Sequence, residues 1–385
     1  MSAAIGLWCK SGSRHEHDNE AGITHFIEHM LFKGTTTRTA KQIAEEIEGQ
    51  GGVLNAFTDK EQTCYYCRVL VDEIPRATGV LADMMLNSLL DGEEITRECG
   101  VIVEEIKRGE DEPGDHVHEL HLSGLWGDHP LGKPIIGTRE SVTSFGPTNF
   151  RTYMQRRYRG SNVVLAIAGR VDPAAFRDLA ESLLGGLASG GDDVIEAGPV
   201  GSFGQNLITD DCEQVHFCIG TDGVGLFDDD LYTQSVTDSI LGGGMSSRLF
   251  QEIREKRGLA YSVGSYCLPY SSGGAFTVYG GTNKESWPLV QELAQAELDK
   301  VARGEVQVEE LDRIKRQICG NMVLALEGMN SRMMRMARNE IHHQREIPLE
   351  ETLGKINAVT VDQVVEYAKK RFAASNMRTT AIGPF

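Results

Sequence analysis

The apolar run from Ala3 to Lys10 reads as a strand, and apolar residues alternate with polar ones from Val53 to Thr58 and from Thr63 to Val71, the period of two that marks paired, half-buried strands. Between and after these runs the period lengthens to that of helices. One helical pattern spans Gly22 to Lys33 and stops at Gly34. A second opens on a Thr39-x-x-Gln42 capping box and closes near Gly49. Pro75 opens a third that runs to about Leu90, and a fourth covers Glu93 to Asp111 before Pro113. The second half follows the same logic. It predicts a strand at Gln214 to Thr221, helices at Leu231 to Leu241 and Ser246 to Lys256, strands at Ala260 to Leu268 and Gly274 to Gly281, and long helices from Ser286 to Phe372.

The two halves also share letters. Tyr153, Arg157-Tyr-Arg-Gly-Ser161-Asn162 and a run closing on Ala166-Ile-Ala-Gly169 recur as Tyr367, Arg371-Phe-Ala-Ala-Ser375-Asn376 and a run closing on Ala381-Ile-Gly383, each 214 residues further on. Helix, turn and strand repeated at one offset define two homologous α+β domains, expected at 1–190 and 206–385. The glycine-rich stretch 191–205, with Pro199, is the expected linker. The first copy has no room for an opening strand before Ala3, which leaves two readings, a trimmed sequence or an unusually late start.

Composition narrows the function. With 385 residues, 40% hydrophobic content and no apolar run longer than short stretches such as Val163 to Ala168, the chain is not expected to span a membrane. A net charge of −18 without a basic cluster argues against nucleic acid and favours basic peptides as partners. The eight cysteines are scattered, and the single C-x-x-C, Cys64-Tyr-Tyr-Cys67, sits in a strand pattern with no second pair, so a reducing compartment is expected. No secretory or organellar leader is visible, which leaves a cytoplasmic protein or one whose leader has been removed.

The chemistry centres on His25-Phe-Ile-Glu28-His29. At about 100° per residue all three polar side chains leave one face of a single turn. Two imidazoles at that spacing can grip a zinc ion while the carboxylate between them reaches a neighbouring water, the inverted form of H-E-x-x-H. The bland alternative is a helix with two buried histidines bonded to backbone. A catalytic zinc takes three protein ligands, and the Glu93 to Asp111 helix offers the third. Its periodicity puts Glu98, Val101, Ile102 and Glu105 on the inward face and Glu104 outside beside Arg97, Lys107 and Arg108. Inward carboxylates are costly unless they meet a cation, so Glu105 is taken as ligand and Glu98 as the partner that orients a histidine or water. A salt bridge to an arginine is the structural alternative for both.

These motifs resemble the M16 zinc peptidases, nearest to the mitochondrial processing peptidase and its bacterial relatives. His25-Phe-Ile-Glu28-His29-Met-Leu-Phe-Lys-Gly34-Thr35 is similar to the family's metal helix, and Glu105, 76 residues past His29, matches its distal ligand. Asn55, Ala56, Phe57 and Thr58 resemble the edge strand on which substrate is laid. Gly242 to Arg254 and on to Tyr261 resembles the segment that offers substrate an arginine and a tyrosine, seven positions apart as Arg254 and Tyr261 are.

The resemblance implies two domains, each a mainly antiparallel sheet covered by helices, and a zinc metalloendopeptidase with one Zn2+ per subunit. It implies catalytic roles for Glu28, Arg254 and Tyr261. It also implies a dimer, of identical chains or of homologous ones, closed around a chamber in which Arg254 and Tyr261 serve the partner's site. Peptide is expected to bind extended along Asn55 to Thr58. Asp115 and Glu119, after the run Glu110-Asp-Glu112, stand where the mitochondrial relative receives a basic residue. A solvated acidic loop is the alternative there. The chief rival function is a non-catalytic structural or partner subunit of the same fold, and a closed zinc-binding module lacks a fourth ligand. His116, His118, His121 and His129 read as surface histidines, and Met322, Met329, Met333, Met334 and Met336 as core filler.

Overall fold

The computed structural model describes residues 1–190 and 197–385. The first half of the chain runs β1 (Ser2–Cys9), α1 (Ile23–Leu31), α2 (Ala40–Glu48), β2 (Val53–Thr58), β3 (Thr63–Leu70), α3 (Ile74–Asn87), α4 (Gly92–Glu110), α5 (Pro113–Trp126), α6 (Arg139–Ser144), α7 (Pro147–Arg157), β4 (Val163–Gly169) and α8 (Pro173–Leu184). The second half runs β5 (Gly204–Thr209), β6 (Val215–Gly223), α9 (Leu231–Leu241), β7 (Ala260–Tyr270), β8 (Gly273–Thr282), α10 (Trp287–Ala302), α11 (Val308–Ala325), α12 (Met329–His343), α13 (Leu349–Ala358), α14 (Val361–Arg371) and β9 (Arg378–Gly383). No helix among the described residues is long and apolar enough to cross a membrane.

Two departures from the expected elements stand out. The helix expected from Ser246 to Lys256 is shorter and irregular, helical from Arg248 and π-helical over Phe250–Glu255. Residues 191–196 of the expected linker lie outside the described residues, and its last two, Gly204 and Gln205, already belong to β5.

The chain forms two compact units, neither of them continuous. The first comprises Met1–Lys107, Lys133–Val194 and Leu324–Glu346, and the second Arg108–Gly132, Ile195–Val323 and Ile347–Phe385. Each half of the chain therefore lends a helix to the other unit, α5 to the second and α12 to the first.

The first unit holds a four-stranded antiparallel sheet in the order β2-β3-β1-β4. In β1, Ala3, Ile5, Leu7 and Cys9 join a core with Phe26, Met30, Val80 and Met84, while Ala4 and Trp8 face the opposite way onto Met333 and Ala337 of α12. Both faces are thus covered, which is why β1 reads as a nearly continuous apolar run. Gly6 is needed where α12 crosses, since a Cβ there would lie 2.5 Å from Met333 Sδ.

The second unit holds a five-stranded sheet, β5-β9-β6-β8-β7, antiparallel except where β5 runs parallel to β9. Val215, Phe217 and Ile219 of β6 pack with α9, α10 and α14, and Cys218 faces Val117 of α5. The repeat is now visible in three dimensions: Tyr153 of α7 and Tyr367 of α14 are both buried in the helix that precedes an edge or near-edge strand. β5 has no counterpart beyond β4 among the described residues.

Candidate metal centre

α1 forms because Ile23, Phe26, Ile27, Met30 and Leu31 make one apolar stripe, all buried. That leaves His25, Glu28 and His29 together on the other side of the helix, half-buried. α4 is opened by Asp91, whose Oδ1 accepts from Glu93 N at 2.9 Å and Glu94 N at 3.2 Å. Ile95, Glu98 and Ile102 are its buried residues. Val101, expected on the same face, is instead 45% exposed, because the inward stripe is narrower than the sequence pattern allows.

Glu105 lies on α4, two turns beyond Glu98. Its Oε2 is 3.7 Å from His29 Nε2, and its side chain is 42% accessible. One donor atom each from His25, His29 and Glu105 lies within 4.8 Å of the others, and among the described residues no other group of three His, Cys, Asp or Glu could hold a metal. The two imidazole rings stand edge to face, with centroids 4.7 Å apart.

This donor set fits zinc: two imidazoles and one carboxylate, with a fourth position left open. His25 Nδ1 is buried with no hydrogen-bond partner, the condition of a ring that a ligand would satisfy. Burial, with the neighbouring His29 adding to it, pushes His25 down to about 4 and keeps the ring in the neutral form that binds metal.

The supporting residues are specific. Glu98 Oε2 lies 3.1 Å from His29 Nδ1 and Glu98 Oε1 lies 2.5 Å from Lys33 Nζ. A carboxylate only accepts, so Nδ1 carries the proton and Nε2 presents its lone pair toward Glu105. The expected orienting role of Glu98 has this geometry, and Lys33, inside the His25 motif, is the cation paired with its other oxygen. Glu28 Oε2 accepts from Thr58 Oγ1 at 2.6 Å. Burial raises the Glu28 carboxyl, with Glu105 adding to the rise, while Thr58 and His29 pull it back.

β2 is an edge strand of the first sheet, with Asn55 opposite Tyr66 on β3 and its other side unpaired among the described residues. Asn55 is exposed and Ala56 half-buried, open to an added strand. Phe57 packs on Trp8 with ring centroids 5.5 Å apart, so it belongs to the sheet's own packing.

In the second unit, Arg254 is stacked between Phe250 and Tyr261, its guanidinium carbon 4.7 and 5.1 Å from the two ring centroids, and Tyr261 is 82% exposed. The structure therefore brings the expected pair together. Asp115 and Glu119 are exposed one turn apart on α5, also in the second unit, so they lie on a helix and not in a loop.

Two minor expectations fail. His121 is fully buried and His118 bonds Tyr266 Oη at 2.8 Å through Nδ1, because residues three apart share the face of α5 that packs on β6 and β9. Met333 is core, but Met336, at the margin of that buried stripe of α12, is 51% exposed.

The fold and this cluster define a two-unit α+β protein with an H-x-x-E-H helix and a distal glutamate arranged as a metal centre. The profile of insulinase (peptidase family M16) matches residues 1–139, and that of the peptidase M16 inactive domain matches residues 144–318. The chain is 40% identical over 373 residues to the uncharacterized zinc protease YmxG of Bacillus subtilis, covering 96% of this chain and 90% of that one. It is also 40% identical over 386 residues to an uncharacterized zinc protease of Rickettsia felis, covering 100% and 92%. A crystal structure of a protease from Helicobacter pylori shares the fold at a TM-score of 0.93 and 21% identity, over 100% of this chain and 94% of that one. A chain of complex III2 from Candida albicans does so at a TM-score of 0.86 and 18% identity, over 100% and 91%. The chain belongs to peptidase family M16 and is similar to zinc proteases.

Proposed function

We propose that this protein is a zinc metalloendopeptidase that hydrolyses peptides bound in extended form. The observation that carries the reading is the convergence of His25, His29 and Glu105 donor atoms within 4.8 Å, with Glu28 on the same turn of helix. Zinc bound there would supply a Lewis acid that polarises the scissile carbonyl and acidifies a water.

The chain's own residues do the rest. Glu98 holds His29 in the tautomer that leaves Nε2 free for the metal. Glu28 takes the water's proton on its carboxylate and returns it to the leaving amine, with Thr58 fixing the carboxylate's orientation. The unpaired side of β2 lays the peptide out by main-chain hydrogen bonds at Asn55 and Ala56, which demands little of the substrate's sequence. Arg254 and Tyr261 provide a cationic and a hydroxyl donor for the peptide backbone and the developing oxyanion.

The family resemblance extends the proposal to a dimer, of identical or homologous chains, in which Arg254 and Tyr261 act on the partner's site. Asp115 and Glu119 would favour basic peptides, and equal cleavage of a matched Arg-to-Ala peptide pair would remove that preference. The rival, a non-catalytic partner subunit of the same fold, has less support because base, ligands and orienting carboxylate are all present. A peptidase assay with and without chelator, beside Glu28→Gln, tests the choice. Glu28→Gln should retain zinc while turnover falls about 10²–10⁴-fold. Undiminished turnover would exclude Glu28 as the base.

A further inference from the structure

Several helices of the first unit are opened by the side chain of their own N-cap residue. Thr39 caps α2, Thr138 caps α6 and Asp172 caps α8, each accepting from an amide of the first turn. α1, the helix that carries both histidines, has no such cap of its own. Its N-cap is Gly22, in the left-handed region at φ +88° and without a side chain to cap anything. No other residue fits there, because a Cβ would lie 2.5 Å from Ile136 O.

The cap comes from Glu16, six residues before Gly22. Its Oε2 accepts from Gly22 N at 2.8 Å, its Oε1 from Thr24 N at 2.8 Å, and Oε1 also takes the Thr24 hydroxyl. Thr24 immediately precedes His25 and is fully buried. Around it the polar contacts continue inward: Tyr153 Oη meets Ser11 Oγ at 2.9 Å, and Arg157 donates to Ser11 Oγ at 3.2 Å and to Lys10 O at 2.9 Å. The first turn of α1 is therefore tied to the chain that leaves β1.

We propose that Glu16 is a positioning residue for the metal centre: by gripping the first-turn amides of α1 it sets the rotation and height of the helix, and so the places of His25 and His29. The inference rests on the zinc reading of that centre. Burial pushes the Glu16 carboxyl up to about 7 against the pull of the donors from Thr24 and Gly22. An apolar side chain would avoid that cost, but it would leave the amides of Gly22 and Thr24 without an acceptor next to a ligand.

The test uses the whole protein, with zinc and cobalt(II) as probes. Zinc affinity is measured by competition with a chromogenic chelator, well below the melting temperature, for wild type, Glu16→Ala and Glu16→Gln. Visible absorption of the cobalt forms and the split of kcat from KM are recorded alongside. Glu16→Ala should weaken zinc binding about tenfold, the low end for residues acting behind metal ligands, alter the cobalt spectrum and lower kcat with KM little changed. Glu16→Gln, with one acceptor oxygen left, should fall between. If Glu16→Ala does not fold, Glu16→Gln decides alone. Wild-type affinity and spectrum in a folded variant, whatever its melting temperature, would overturn the proposal. A wild-type protein that takes up no zinc would instead overturn the reading of the centre itself.

Discussion

Replacing Glu98 with alanine removes one carboxylate and strands two partners. Its oxygens lie 3.1 Å from His29 Nδ1 and 2.5 Å from Lys33 Nζ, and its side chain is only 8% accessible, so water replaces neither contact well. A hydrogen bond to a charged group contributes about 1.5–3 kcal/mol. At about 1.4 kcal/mol per tenfold, losing the His29 bond costs roughly one to two decades of zinc affinity, in line with the 10–100-fold effect of residues behind metal ligands. Glu98→Gln keeps an acceptor but not the charge, and should lose about tenfold. Lys33→Met leaves the His29 bond in place and should lose less than either. Competition with a chromogenic chelator at neutral pH gives the three affinities, and thermal unfolding of the metal-free proteins confirms that each is folded. Wild-type affinity in folded Glu98→Ala would mean that Glu98 serves only Lys33, and the orienting role would be refuted.

Thr58→Val should raise the Glu28 carboxyl further, since the Thr58 bond is one of the forces holding it down; the acid limb of kcat/KM then moves to higher pH, and an unmoved limb would free Glu28 of Thr58. His121 should make the protein acid-sensitive. Burial first, then Arg378 and His118, push it from 6.5 to about 3, so the unfolded chain takes up a proton below 6.5 that the folded chain refuses until about 3. Its stabilising contribution is present above pH 6.5 and declines by up to about 1.4 kcal/mol per unit as pH falls toward 3. His121→Leu should make the fall in urea-unfolding stability between pH 7 and 5 shallower, and identical slopes would contradict this. Mixing Arg254→Ala chains with Glu28→Gln chains should restore peptidase activity if subunits share sites; no recovery from dimers that light scattering shows have formed would place Arg254 with its own chain's centre.

The elements were legible wherever a local pattern dictates them. β1 lies one residue from its expected bounds, and the Thr39 and Gln42 box closes in both directions, at 3.2 Å from Gln42 N and 2.9 Å from Thr39 N. The helix expected from Ser246 to Lys256 starts late for an equally local reason: it follows Gly242, Gly243 and Gly244 and opens on two serines, residues that compete poorly for helix, so helix begins at Arg248 and turns π-helical at Phe250. What no periodicity reveals is which sheet a helix covers. The apolar stripe of α12 says that Met333 and Ala337 are inside but not that Ala4 and Trp8 of β1, more than three hundred residues earlier, are what they pack on. The same blindness turned His121 into a surface residue, because α5 buries a partly polar face under the second sheet.

The centre divides along the same line. His25, Glu28 and His29 share one turn, so their spacing alone displays them, and helical phase was enough to separate Glu105 from Glu104. Thr58 stands thirty residues from Glu28 and reaches it only because the β2–β3 pairing sets which residues of β2 approach α1. Lys33 sits in the motif itself yet has no visible role until α4 places Glu98 beside it. The donors that hold a metal are thus written in short range, whereas the groups that fix a tautomer or aim a carboxylate come from separate elements. Substitutions that keep His25, Glu28, His29 and Glu105 but alter Thr58, Lys33 or Glu98 should therefore leave the motif intact in sequence while degrading its chemistry.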